Sequence, residues 1–275
     1  MPHSARPKIG VFDSGVGGLT VLRALVNHVP EADYLYFGDT ARLPYGSKSA
    51  ATVAHYAVDA VRYLQGHGAE LLVIACNTAT ALALQEIQAA SDVEVIGVVE
   101  PGAAAAAAAT RKRNVVVIGT DATISSHAYK YALESRGIAV REKACPLFVP
   151  LVEEGWGEHP VTEQVARIYL AEAFADDAGD FSADVLVLGC THYPLIKPLL
   201  RRVAPEHIAI VDSAESTAHE VARQLQIAPH VAARGPRSVP GLKFFATDSA
   251  DKFRKMGTRF LGLPVEEVLH VDLKE

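Results

Sequence analysis

The chain has 275 residues, enough for one large domain or two modest ones with ample buried core. Its 26 Lys+Arg against 32 Asp+Glu leave a formal charge of −6, the wrong sign for a generic phosphate-backbone binder, so nucleic acid is not expected as a main partner. Hydrophobic residues make up 49%, yet charged residues or histidines interrupt every apolar run before it reaches bilayer length, residues 1–7 contain no apolar signal core, and three cysteines cannot all pair, so a soluble cytoplasmic protein with free thiols is expected.

Short apolar runs bounded by Gly, Asp, Asn or Thr alternate along the chain with stretches of helical spacing. The first half reads as strand 8–13, helix 19–28, strand 34–39, helix 50–64, strand 71–76, helix 79–89 and strand 93–99. An alanine-rich helix at 103–109 follows, with Arg111, Lys112 and Arg113 suiting its C-terminal dipole. Then come strand 115–120, helices 126–135 and 162–174, strand 185–190, strand 208–212, helix 215–225 and strand 244–248. This alternation predicts an α/β fold with mostly parallel sheets flanked by helices.

The order of special strand ends is played twice. FDSG at 12–15 and ACNTAT at 75–80 are echoed by IGTDAT at 118–123 and GCTHYP at 189–194. Two similar domains facing each other across a cleft are therefore expected, with residues 1–98 plus 211–275 forming the first and residues 99–210 the second.

Open parallel sheets bind ligands beyond the carboxyl ends of their strands, where helix N-termini present free backbone donors. Asp13, Ser14, Asp39, Cys76, Asn77, Thr78, Cys190, Thr191 and His192 all fall at such ends. A single buried cysteine is usually a packing residue. Two cysteines at matching strand-to-helix junctions point instead to chemistry, because such a junction lowers a thiol pKa from about 8.5. Cys145 is followed by Pro146 with no helix start indicated, and reads as packing.

Other readings of these residues are less economical. Asp13-Ser14 in isolation would cap a helix near Gly17. Glycines 15, 17 and 18 suggest a dinucleotide turn, but Thr20 stands where its third glycine would fall. Gly15 occupies the place of the second carboxylate of an aspartyl-nucleophile phosphatase. A metal site from Cys76, Cys190 and His192 lacks paired CxxC spacing, so no metal is expected. No lysine lies in these blocks to anchor pyridoxal phosphate, so no cofactor is expected either. Glu153 and Glu154 read as a solvated loop pair, Asp39 as a turn or capping residue, and Tyr45-Gly46 after Pro44 as an ordinary turn.

Taken together, IGVFDSGVGGLTVL (9–22), YFGDTARLPYG (36–46), ACNTATA (75–81), CPLFVPLVEEG (145–155) and GCTHYPL (189–195) closely resemble the bacterial glutamate racemases of the cofactor-independent amino-acid racemase superfamily. The resemblance implies interconversion of L- and D-glutamate, with the D form supplying peptidoglycan synthesis, and a homodimer. It places the proton-transferring roles on Cys76 and Cys190 and assisting roles on Asp13, Glu153 and His192, with Glu154 adjacent to Glu153 as an alternative. Substrate contacts fall on Asp13, Ser14, Pro44, Tyr45, Gly46, Asn77, Thr78, Thr191 and His192. The competing expectations are an aspartate racemase of the same superfamily, a non-catalytic amino-acid sensor, and a nicotinamide enzyme.

Overall fold

The structure, a computed structural model, describes residues 6–175, 181–226 and 240–273. In chain order the first elements are β1 (Lys8–Asp13), α1 (Leu19–His28), β2 (Asp33–Gly38), α2 (Ala50–Gly66), β3 (Leu71–Ile74), α3 (Asn77–Ala89), β4 (Glu94–Gly97) and α4 (Val99–Ala109). They are followed by β5 (Asn114–Gly119), α5 (Asp121–Ser125), α6 (Ala128–Glu134), β6 (Ala139–Ala144), α7 (Phe148–Glu153), α8 (Pro160–Phe174), β7 (Val185–Gly189), α9 (Lys197–Val203) and β8 (Ala209–Asp212). The chain ends with α10 (Ser213–Gln224), β9 (Leu242–Ala246), α11 (Ala250–Leu261) and β10 (Leu269–His270).

These strands build two sheets, one in the order β10-β9-β2-β1-β3-β4 and one in the order β6-β5-β7-β8. Every described pairing is parallel, so each strand reaches its neighbour through a crossover that lays helices on the sheet faces. That is the α/β class expected from the alternation. The last two strands join the first sheet beside β2, while β8 still pairs with β7 in the second, so the chain returns to the first sheet only after Asp212.

Central strands are buried on both faces, which is why β3 (LLVI) and β7 (VLVLG) are continuous apolar runs. One cluster of core side chains runs through both halves, joining Val16, Leu19 and Tyr36 to Ile118, Phe148 and Leu188. Each fully buried side chain of this size contributes about 1.5–3 kcal/mol. The halves are thus packed on one another, with α10 lying against both α1 and α4. No helix among the described residues is long and apolar enough to cross a membrane.

Some elements lie outside the apolar pattern. The edge strand β6 is AVREKA, half-buried and largely polar, and its pairing to β5 defines it where hydrophobicity does not. The segment α7 is six residues long, with Pro150 inside it, too short to show a helical period. Both cysteine-bearing strands stop short of the expected ends, β3 at Ile74 and β7 at Gly189. Cys76 then caps α3, whereas Cys190 leads into a 3-10 turn, Tyr193–Ile196, with Pro194 in its first turn. Cys145 also follows a strand and precedes a helix, which corrects the expectation that no helix starts there. It is fully buried in the shared core.

Gly38 ends β2 opposite Asp13, and an added Cβ would come 2.4 Å from the Gly15 carbonyl oxygen and 2.8 Å from the Phe253 ring. Gly38→Ala should therefore destabilise the protein by about 1–3 kcal/mol. The resulting fall in melting temperature, roughly 3–10 °C for a chain of this size, is measurable by thermal denaturation.

Candidate active site

A cleft of about 580 Å³ opens between the carboxyl ends of the two sheets. From the first half it is lined by Ser14, the Pro44-Tyr45-Gly46 turn and Cys76-Asn77-Thr78, and from the second by Glu153 and Cys190-Thr191-His192. Asp13 does not line it and is 1% exposed, and Asp39 and Glu154 are absent from its lining as well.

Cys76 is the N-cap of α3. Its sulfur accepts the Ala79 amide at 3.4 Å and donates to Ser14 Oγ at 3.5 Å. The expectation of a lowered thiol pKa is not met at Cys76. Burial and the neighbouring Asp13 carboxylate push the thiol up to about 12, outweighing the Ala79 amide and the Ser14 donors. Asp13 is itself raised by burial, although His192 and the Gly15 and Gly18 amides pull the other way. Its Oδ2 accepts the Gly15 amide at 2.9 Å, while Oδ1 is buried without a hydrogen-bond partner among the described residues. The residue does not cap α1, whose N-cap is Gly18 without a side-chain bond.

On the facing side, His192 Nδ1 lies 3.9 Å from Cys190 Sγ and its Nε2 3.1 Å from Glu153 Oε1. Burial would lower the imidazole pKa, but hydrogen bonds to Cys190 and Glu153 outweigh it and hold His192 up to about 10. Glu153 is lowered correspondingly, chiefly by the hydrogen bond from His192. Glu154 is exposed at the end of α7 and points to no such partner in this group. The backbone carbonyls of Val152 and Glu153 are each held at 2.8 Å by Arg259 from α11, so the last helix fixes the carboxylate that bonds His192.

The remaining lining is largely neutral donors. Thr78 Oγ1 meets Thr120 Oγ1 at 3.0 Å and Thr123 Oγ1 at 3.3 Å from the other half. Asn77 is 2% exposed, with Oδ1 accepting the Tyr129 hydroxyl at 2.7 Å. The Tyr45 hydroxyl donates to Asp39 at 2.6 Å and Thr247 donates to it at 2.9 Å, so the Asp39 side chain braces the loop, while the residue stands at the start of the short turn Thr40–Arg42 without a side-chain capping bond. A cis peptide joins Leu43 to Pro44 in that loop.

Several contributors escaped the sequence. Thr20, which breaks the dinucleotide pattern, places its hydroxyl 2.9 Å from the Thr191 carbonyl across the cleft base. Gly17 is held to the same point, since a Cβ there would come 2.3 Å from Thr191 Oγ1 and 2.6 Å from the His192 ring. Lys252 of α11 also lines the cleft and supplies positive charge near Glu153. Thr120 follows β5 and caps α5, at a junction that the repeated pattern had picked out, so it was findable. Lys252 lies on an exposed amphipathic helix face with no local signal. Among the described residues the one cluster with metal-ligand geometry is His28, Glu215 and His219, on the α1–α10 face. Cys76, Cys190 and His192 do not form one.

The model of the Asp/Glu/Hydantoin racemase family matches residues 9–221. A glutamate racemase of Koribacter versatilis is 61% identical over 287 residues, covering 98% of each chain. Among solved structures, a glutamate racemase of Bacillus anthracis superposes with a TM-score of 0.88 at 36% identity, covering 98% of this chain and 99% of the other. The glutamate racemase of Francisella tularensis in complex with D-glutamate gives 0.84 at 34%, covering 98% of each. The chain belongs to the Asp/Glu/Hydantoin racemase family.

The raised His192 pKa carries a stability signature. An unfolded histidine titrates near 6.5, so this imidazolium stabilises the fold fully below about pH 6.5, and the contribution is lost progressively as pH rises through about 10. Urea melts of the wild type should lose stability between these limits more steeply than those of His192→Gln. Glu153→Gln should bring the His192 midpoint down, as read from its ring proton resonances by NMR.

Proposed function

We propose that this member of the racemase family interconverts L- and D-glutamate by moving a proton between Cα and two thiols, Cys76 on one face of the substrate and Cys190 on the other. The observation that carries this reading is that two cysteines, at positions 76 and 190 of the sequence, line one cleft from opposite halves amid neutral hydrogen-bond donors. The glutamate racemase relatives and the D-glutamate complex support the choice of substrate.

In each direction one sulfur begins as thiolate and the other as thiol. The thiolate takes the Cα proton, the Cα–H electron pair remains on the substrate as a carbanion delocalised into its α-carboxylate, and the opposite thiol returns a proton to the other face. The two sulfurs then hold exchanged protonation states, and protons must redistribute before the next turnover. Burial and Asp13 keep Cys76 as the acid, while His192, held by Glu153, stands 3.9 Å from the Cys190 sulfur. Asp13 acts through Cys76 because it lies under the cleft floor and does not line it. Reversing direction requires Cys76 to ionise, which the substrate ammonium would assist.

Glutamate carries two carboxylates. Ser14, Asn77, Thr78, Thr191 and the free amides at the start of α3 are the donors for them, with Lys252 contributing charge at the mouth. Stabilisation of the carbanion comes from these prepositioned donors in a site that closes against water, the two halves (1–98 with 211–275, and 99–210) moving together over the substrate. In this reading the enzyme works in the cytoplasm as a homodimer and supplies D-glutamate to peptidoglycan synthesis.

The test is to incubate purified protein with each glutamate enantiomer in deuterium oxide, without added cofactor, following circular dichroism and Cα labelling. Two-base transfer puts solvent deuterium into the product enantiomer at early conversion and leaves the remaining substrate unlabelled. Absence of racemisation would overturn the proposal. Cys76→Ser and Cys190→Ser should each lower turnover by at least about 100-fold while glutamate binding persists, measured by calorimetry.

A further inference from the structure

We infer that Tyr129 is a positioning residue that fixes the Asn77 side-chain amide with its NH2 group turned toward the substrate, so that a residue of the second half sets a binding donor of the first. The inference rests on the glutamate-binding reading above.

Tyr129 is completely buried in α6, yet its hydroxyl reaches out of its own half to bond Asn77 Oδ1 at 2.7 Å. A buried tyrosine hydroxyl needs a partner, and an asparagine amide offers one acceptor end and one donor end. With Oδ1 committed to Tyr129, the donor end is what remains. Asn77 Nδ2 is indeed buried without any hydrogen-bond partner among the described residues, on a side chain that lines the cleft. A buried N–H group left unpaired costs about 1–3 kcal/mol, and a carboxylate oxygen arriving in the cleft would relieve that cost. The opposite amide orientation would present an oxygen to an anion and be repelled.

The surroundings of the ring are shaped for this reach. A Cβ on Gly189 would come 3.1 Å from the Tyr129 ring, and one on Gly102 would come 3.2 Å from its ring edge and hydroxyl. Gly189 immediately precedes Cys190, and Asn77 immediately follows Cys76. One side chain therefore rests on the backbone beside one sulfur and bonds the residue beside the other.

Tyr129→Phe keeps the ring and removes the bond. Expected are a KM for both glutamate enantiomers, and a calorimetric Kd, raised about 5- to 30-fold with kcat within about threefold, because the lost contact serves ground and transition states alike. In an Asn77→Ala background the same substitution should change Kd by less than about twofold, which a packing role would not produce. Asn77→Asp, isosteric and still an acceptor for Tyr129, replaces the NH2 group by oxygen and should weaken glutamate binding at least about 50-fold. Unchanged KM and Kd in Tyr129→Phe, an equal effect in the Asn77→Ala background, or wild-type binding by Asn77→Asp would each overturn the inference. A wild-type protein that binds glutamate but does not racemise it would defeat the functional reading alone, since the Kd comparison still reads the role of Tyr129.

Discussion

The cleft is organised around one conflict: a helix start favours a charged thiolate, and burial of a thiol opposes its ionisation. Cys76 shows the burial side of that conflict, with desolvation and the Asp13 carboxylate overriding the helix start that would otherwise favour charge. On the facing side a buried imidazole, its pKa raised by hydrogen bonds to Cys190 and Glu153, lies 3.9 Å from the Cys190 sulfur. The two cysteines therefore stand in unlike surroundings.

A cleft lined from two sheets also requires that groups on those sheets keep their mutual geometry. Short hydrogen bonds across the cleft base carry this requirement. Thr20 bonds the Thr191 carbonyl, Thr78 meets Thr120 and Thr123, Tyr129 bonds Asn77, and Arg259 holds the backbone of Val152 and Glu153. Gly17 and Gly38 belong to the same arrangement, since side chains there would force the Asp13–Gly18 loop away from His192 and from β2. The shared core beneath them makes the floor continuous.

The strands with their apolar runs were readable because a parallel strand buried on both faces must be hydrophobic throughout, as in residues 71–74 and 185–189. The polar edge strand β6 was not, because an edge strand is specified by its partner's free backbone groups and tolerates Arg, Glu and Lys. Helix α7 was hidden by its length. In consequence Glu153 looked like half of a solvated pair, although its turn sets it against a histidine 39 residues away.

From the sequence alone came the α/β alternation, the doubled series of strand ends, and the identity of the side chains at those ends, because each depends on periodicity or on residues adjacent in the chain. Charge state and partnership were decided only by the tertiary structure. The rise of the Cys76 pKa, the selection of Glu153 over its neighbour, the work of Thr20 and the bond from Tyr129 all arise from groups far apart in sequence. Their energies depend on distance and burial, and those exist only once the two sheets have packed against each other.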